Sequence, residues 1–314
     1  MLSYLVLPSA ILACAGLAFS QGASTITNFG TDINGNRVPT TSITTTGNSR
    51  VERVQSINGR SVPLEQVEDK VVREDASGKV VERTIRRFDA SGNPLPVDRV
   101  TIAETKQADG SIITDTTLRR GDVNGNLVLS EHTRAETRKN GASTMSEIVV
   151  ERASINGSLE LQEKQSIAAI EQGQTVQQTS TVYRRDSNGN FVEARRDVKE
   201  TTIVGATTTE NSASYEPGND GKLSLTRQET RTAVKSADGS EHSQVNVFDS
   251  VAGRVGESGG TPQLREQVLI ERKMSGDGIV ETLRVRQASP NDPGRLGAAR
   301  LISESVCKGK CSDK

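Results

Sequence analysis

Aromatic residues, histidine and cysteine are scarce in this chain of 314 residues, and each shortage narrows what the protein can be. There is no Trp, and aromatic residues make up 3% of the sequence, with three Tyr and five Phe. Stacking surfaces for bases are therefore nearly absent, which counts against single-stranded nucleic acid as a partner. The net charge of −1, from 39 basic and 40 acidic residues, supplies no overall field toward nucleic acid either.

Apolar side chains are also few. Hydrophobic residues account for 33% of the chain, or about 42% with its 28 Gly added, whereas ordinary globular proteins carry about 45–50% with Gly included. A deep two-layer core is hard to build from this composition. Disorder is the competing interpretation, but it does not explain the evenly spaced turn dipeptides described next. We therefore expect an ordered sheet with little core.

The chain does contain a regular series of turn glycines. Most of them stand in Asn-Gly or Asp-Gly dipeptides, which supply the positive φ angles of tight hairpin turns. Segments containing Thr and Val separate them, so the fixed period predicts a β-meander built from repeats. The series has a step of sixteen residues and consists of Gly125, Gly141, Gly157, Gly173, Gly189, Gly205 and Gly221.

The turns alternate in kind, so the predicted repeat is a hairpin of thirty-two residues. One kind is larger and begins with Asp, as in Asp89–Asn93, Asp122–Asn126 and Asp186–Asn190, and the other is plainer, as in Asn140-Gly141. We predict an all-β fold, a long antiparallel up-and-down meander in a single-layer or curled sheet, with one kind of turn along each edge. Cross-strand Thr pairs and Glu–Arg pairs of about 0.2–1 kcal/mol each would supply much of its lateral cohesion.

The two ends of the chain predict export. Residues 1–20 are apolar and end in Ala18-Phe19-Ser20, which favours a signal peptide cleaved after Ser20, although no Lys or Arg stands near the start. An uncleaved anchor, or a lipoprotein with its lipid on Cys14, stays open as an alternative. We expect an extracellular, cell-surface or periplasmic protein. Its β-hairpin array covers 21–248, a Gly/Ser-rich loop covers 249–262, and final hairpins of the same sheet cover 263–306.

The C-terminal tail, 307–314, carries the pair Cys307 and Cys311. In an oxidising compartment this spacing favours a small disulfide loop. A metal site would need further ligands, and His132 and His242 are distant in sequence and expected on solvated strands. No metal and no cofactor are therefore predicted.

Two of the large turns carry a family resemblance. The segments Arg87–Asn93 and Tyr183–Asn190 place an aromatic residue before an Asp-led turn that contains Gly, and they resemble the turns of YD-repeat (Rhs-type) proteins. The resemblance implies an extracellular array of β-hairpins, which in that family can wind into a hollow shell. It implies no catalytic or binding residues for this chain.

Two motifs carry candidate chemistry. Gly256–Gly260 matches the Gly-x-Ser-x-Gly nucleophile elbow around Ser258, but the motif needs a later His, and none follows. We therefore predict no catalytic residues and no enzymatic activity. The Asp122 turn has alternating oxygen ligands as in a calcium loop, yet Leu127 and Thr133 replace the Gly and the bidentate Glu of such loops. Turn chemistry alone explains Asp and Asn here, with calcium as the alternative.

Paired arginines precede several large turns and are candidates for a ladder that receives an anionic glycan or lipid head group. The alternative is that Glu and Asp on neighbouring strands neutralise them, in keeping with the net charge. The candidate residues are Arg86, Arg87, Arg119, Arg120, Arg184 and Arg185.

Taken together, these features predict a secreted or cell-surface β-repeat protein with a structural or adhesin-like interaction role. Its specific partner is unknown, and we expect self-association through sheet edges or binding to a cell-surface polymer. A polysaccharide-binding or anionic-ligand-binding module that uses the arginine ladder is the alternative. An outer-membrane barrel has suitable strand lengths but is disfavoured, because a lipid-facing band about 25 Å tall needs apolar alternation and aromatic girdles.

Overall fold

The computed structural model describes residues 23–31, 36–47, 50–57, 59–122, 124–218, 221–250, 262–276, 278–289 and 292–309. Every regular element in these ranges is a β-strand. Among the described residues, no helix has the length and apolar character to cross a membrane. The strands are β1 (Ala23–Thr31), β2 (Arg37–Thr46), β3 (Arg50–Ile57), β4 (Arg60–Asp75), β5 (Gly78–Arg87), β6 (Asp98–Lys106), β7 (Ile112–Gly121), β8 (Leu127–Asn140), β9 (Ser143–Ala153), β10 (Leu159–Gln172), β11 (Thr175–Arg185), β12 (Phe191–Val204), β13 (Thr207–Pro217), β14 (Leu223–Lys235), β15 (Glu241–Ser250), β16 (Pro262–Ser275), β17 (Gly278–Ser289), β18 (Asp292–Leu296) and β19 (Arg300–Gly309).

The sheet is an antiparallel meander that closes on itself. From β1 to β17 each strand pairs with the next strand along the chain, β17 pairs with β19, and β19 pairs with β1. Eighteen strands therefore form a ring, and the short β18 lies beside it on the end of β17. The predicted all-β meander is confirmed. The sheet is a closed barrel and not the predicted single-layer or curled sheet, because pairing β1 with β19 satisfies the backbone groups of both edges at once.

The connections alternate between two rims. The large-turn rim carries the turns Asp89–Asn93, Asp122–Asn126 and Asp186–Asn190, and the small-turn rim carries two-residue turns such as the one joining Asn140 to Ser143. Segregation by turn type is incomplete, however. The turn at 107–111, on the small-turn rim, closes with the same hydrogen-bond pattern as the large turns, from the amide of Gln107 to the carbonyl of Ser111 at 2.8 Å.

Asp122 shows why Asp begins the large turns. Its carboxylate accepts the backbone N–H groups of Asn124 and Asn126, both at 2.8 Å, and Gly125 supplies the positive φ of 81°. The bonds from the backbone and side chain of Asn126 lower the pKa of Asp122 below its ordinary value. The carboxylate therefore closes the turn by accepting N–H groups that would otherwise be unpaired.

A β-bulge recurs beside the large-turn rim. In the hairpin of β7 and β8 the register shifts between Leu118 and Arg119, and in the hairpin of β11 and β12 it shifts between Val182 and Tyr183. One extra residue moves the following side chains to the opposite face. This is the physical reason why the sequence shows no clean alternation of apolar and polar positions.

The cross-strand register assigns strand residues to two faces, and the least accessible side chains share one of them. Ile148 lies opposite Gln165, which lies opposite Val182, and continuing from strand to strand returns to the same face. Side chains on the concave side of a closed sheet converge, so this crowded face is the inner face of the barrel. Its buried residues are Asp98, Ile148, Ser180, Ala233, Ser243, Val247 and Ile279.

Candidate functional site: a charged belt on the inner wall

Charged side chains of alternating sign line the inner face next to the large-turn rim. From β3 to β11 each strand places at least one such residue there, basic on one strand and acidic on the next. We call this set the charged belt. Its members are Arg53, Glu65, Arg87, Asp98, Arg120, Glu131, Arg152, Glu163 and Arg184.

The first half of the charged belt forms a continuous chain of ion pairs. Nη1 of Arg53 lies 3.7 Å from Oε1 of Glu65, and Nε of Arg87 lies 3.4 Å from Oε2 of the same Glu. Nη1 of Arg87 then donates to Oδ2 of Asp98 at 2.7 Å. The side chain of Asp98 is 10% exposed and that of Arg87 is 52% exposed. The carboxylate is thus covered by the guanidinium that neutralises it.

The second half contains two separate ion pairs. Nε of Arg152 donates to Oε2 of Glu131 at 2.8 Å, and Nε of Arg184 donates to Oε2 of Glu163 at 2.8 Å. Both acids are less exposed than their bases, with Glu163 at 22% and Arg184 at 65%. The belt is close to neutral in sum, yet the groups that extend furthest toward the water are guanidinium N–H donors.

The structure divides the six arginines of the predicted ladder between the two faces, because consecutive strand residues point in opposite directions. Arg87, Arg120 and Arg184 lie on the inner face, in the charged belt. Arg86, Arg119 and Arg185 lie on the outer face, where Arg185 stands 5.4 Å from the ring centre of Phe191. Binding of an anionic ligand by these arginines stays a prediction.

The acidic half of the belt was missed at the sequence level. A usable signal exists, because Glu131 and Glu163 are thirty-two residues apart, as are Arg152 and Arg184. The turn period therefore extends into the strands and marks charged residues that meet across them.

The remaining predicted sites lie wholly or partly outside the described residues. Cys307 lies on the inner face of β19, opposite Ile26 and Ile279, while Cys311 lies outside the described residues, so their pairing stays a prediction. Ser258 and the signal segment 1–20 also lie outside those residues. Within the part of the chain that the structure describes, no three His, Cys, Asp or Glu side chains are grouped to hold a metal ion.

The outer face is polar as well. His132 lies between two carboxylates, with Nδ1 at 2.9 Å from Oε2 of Glu151 and Nε2 at 3.4 Å from Oδ1 of Asp115. Arg134 stands 3.7 Å from the same Asp115 oxygen. Asp115, His132 and Arg134 lie within β7 and β8, and Glu151 lies two residues before the end of β9. Charge on the outer wall is therefore not confined to the rims.

Comparison with solved structures shows which fold this is. OmpF of Salmonella typhi, in complex with daunomycin, superposes with a TM-score of 0.53 at 7% sequence identity over 93% of this chain and 97% of that chain. OccK3 (OpdO) of Pseudomonas aeruginosa gives a TM-score of 0.54 at 10% identity over 92% and 94% of the two chains. The fold is that of the outer-membrane porins. No protein-family profile and no curated protein sequence matches the chain.

This porin-type fold corrects two predictions. The resemblance to YD-repeat proteins was wrong, because the hairpins form one closed ring in place of a wound array, and Asp-led turns with Gly occur in any series of such hairpins. The predicted secreted, adhesin-like repeat protein with a structural role was also wrong. That interpretation expected association through exposed sheet edges, whereas the first and last strands of this sheet pair with each other and the matched folds are outer-membrane barrels.

Proposed function

We propose that the chain is a porin-like outer-membrane barrel whose water-filled lumen passes small hydrophilic solutes. The observation that carries the proposal is the closed ring of eighteen strands with a polar inner face. Barrels of 16–18 strands are wide enough to leave an aqueous channel, whereas barrels of about eight strands are filled by their own side chains. Export of the chain, as predicted from residues 1–20, is consistent with this location.

The charged belt defines what a passing solute meets at the large-turn mouth. Paired charges leave little net field, so the belt does not strongly attract ions of one sign. The exposed guanidinium groups of Arg152 and Arg184 still present N–H donors directed at the lumen. Solutes rich in oxygen acceptors, such as small sugars, find partners there in exchange for water.

Reconstitution tests this function. The refolded full chain is placed in liposomes, and swelling is measured with sugars of increasing size. We expect permeation by monosaccharides and a decline with size. The Arg184→Ala variant should change the rates, whereas Arg185→Ala, its neighbour on the outer face, should not. Impermeable liposomes that contain correctly folded barrel, judged by circular dichroism, would contradict the proposal.

The charged outer wall favours a second function, a water-soluble hollow barrel that holds a polar ligand. An Arg on the lipid-facing surface at the bilayer midplane costs about 2–4 kcal/mol, and Arg134 with its neighbour Asp115 stands in mid-strand. Water solvates the charged side chains of such an outer surface without this cost. Sedimentation separates the two functions: a monodisperse monomer without detergent supports the soluble barrel and contradicts the porin-like one.

Absence of enzymatic activity and the identity of any partner stay predictions. Each of the eighteen described strands of the ring is hydrogen-bonded on both sides, so the ring offers no free edge for self-association. Self-association would have to use another surface.

A further inference from the structure

A depression of about 560 Å³ lies on the barrel wall close to the small-turn rim, away from the charged belt. Strands β14 to β17 line it, and most of its lining side chains belong to the outer face. Val234 and Leu269 supply its apolar surface, and His242, Glu271 and Arg284 supply its charged surface.

Cationic groups outnumber acids around this depression. Glu271 is approached by Nζ of Lys273 at 2.6 Å, by Nη1 of Arg284 at 3.6 Å and by Nδ1 of His242 at 4.0 Å. On the outer face of β14 to β17, Glu271 is the single acid among the described strand residues. One carboxylate therefore faces two permanent positive charges and a histidine.

Neighbouring acids are engaged elsewhere. Asp238, in the turn before His242, accepts the backbone N–H of Ser240 at 2.9 Å and its hydroxyl at 2.7 Å. Glu304, on the strand beyond β17, pairs with Arg37. Asp238 keeps its negative charge beside His242, so the positive excess at the depression rests on Lys273 and Arg284, two permanent cations against the one carboxylate of Glu271.

The cations are also accessible. The side chains of Lys273, Arg284 and His242 are 61%, 45% and 60% exposed. Ion pairs this exposed are weak, because water screens them and the long side chains lose freedom when they pair. A doubly charged anion can therefore draw Lys273 and Arg284 away from Glu271. The hydroxyl of Thr282, whose Cα lies opposite that of Glu271, is buried without a hydrogen-bond partner in the described structure.

We propose that this depression binds the phosphate head group of an anionic phospholipid. Arg284 and Lys273 hold the phosphate oxygens, and the first methylenes of the acyl chains lie on Val234 and Leu269. The choice of a lipid over a free anion follows from the apolar surface next to the charges and from the position near a rim, which is where head groups lie if the barrel is in a membrane. In that respect the inference rests on the proposed function.

Equilibrium binding to the refolded full chain tests the site independently of solute passage. The probes are dihexanoylphosphatidic acid, dihexanoylphosphatidylcholine and inorganic phosphate, measured by isothermal titration in a non-ionic detergent. We expect saturable binding of the phosphatidic acid, with at least about tenfold weaker binding of the other two, since each tenfold corresponds to one charge-assisted contact or its equivalent.

Matched variants locate the binding. Arg284→Gln should weaken phosphatidic acid binding about tenfold, and Glu271→Gln should tighten it by removing the competing carboxylate. Arg286→Gln is the control, because Arg286 lies two residues along the same face, donates to Gln267 at 3.3 Å and does not line the depression. No saturable binding, equal loss in Arg286→Gln, or equal binding of inorganic phosphate each overturns the proposal. A barrel that binds the lipid but passes no solute would support the lipid site and contradict the proposed passage of solutes.

Discussion

Replacing Arg87 by Met isolates the ion pair at the best-buried point of the charged belt. Asp98 is 7% exposed as a residue, and Arg87 is its ion-pair partner at 2.7 Å. The Met side chain keeps most of the stem volume of Arg but leaves the carboxylate uncompensated. The contact of Arg87 with Glu65 at 3.4 Å is lost as well.

The size of the effect follows from burial. Exposed ion pairs contribute about 0.2–1 kcal/mol, and breaking a fully buried pair costs about 3–5 kcal/mol. Here one partner is buried and the other is half exposed, so Arg87→Met should lower the free energy of unfolding by about 2 kcal/mol. Urea unfolding followed by circular dichroism measures this as a lower midpoint with an unchanged slope.

Two further variants decide whether the reasoning holds. Arg86→Met changes the adjacent residue, which faces outward opposite Gln66, and should alter stability by less than about 0.5 kcal/mol. Adding Asp98→Asn to Arg87→Met removes the unpaired charge and should recover at least half of the loss. An equal cost in Arg86→Met, or no recovery in the double variant, refutes the argument from burial.

Three other outcomes are expected. Gly78→Ala should destabilise the barrel by about 1–3 kcal/mol, because the new Cβ would lie 2.0 Å from the backbone oxygen of Glu104. A thermal melt measures this, and an unchanged melting temperature would contradict the prediction. The hydrogen bonds from Asn126 lower the pKa of Asp122, so the stability this group adds is present above its unfolded pKa of about 4 and is lost as pH falls through its lower folded value. Asp122→Asn should therefore flatten the fall in melting temperature below about pH 4, and an identical pH profile would count against the turn mechanism. Ile148→Ala, at a residue 4% exposed, should cost about 2 kcal/mol in urea unfolding, and a cost below about 0.5 kcal/mol would show that the inner wall does not pack there.

Much of the fold was accessible from the sequence because hairpin turns are local. Gly125, Gly157 and Gly189 all have positive φ in the structure, as their dipeptides predicted, and each joins two antiparallel strands. Turn spacing alone therefore determined strand order and direction. Three of the nine members of the charged belt, Arg87, Arg120 and Arg184, were also within reach, since the arginines before the large turns had been singled out.

Face assignment required the tertiary structure. Ser130 is an extra residue in β8 and Ala194 is one in β12, so counting residues along these strands does not give the face on which a side chain lies. The carboxylate partners sit on neighbouring strands, where only the realised register brings Glu163 opposite Arg184. Burial of Asp98 likewise depends on curvature, which crowds the inner wall.

The sequence by itself determined a polar antiparallel meander with two kinds of turn, since these properties depend on residues close together along the chain. Closure was decided only in three dimensions. Ser24 pairs with Gly309 and Ile26 with Cys307, and no turn links these strands or sets their register. The accumulated twist and stagger of all the intervening strands bring the first and last strands together. That pairing closes the series of hairpins into a barrel with a lumen, and the proposed passage of solutes depends on this lumen.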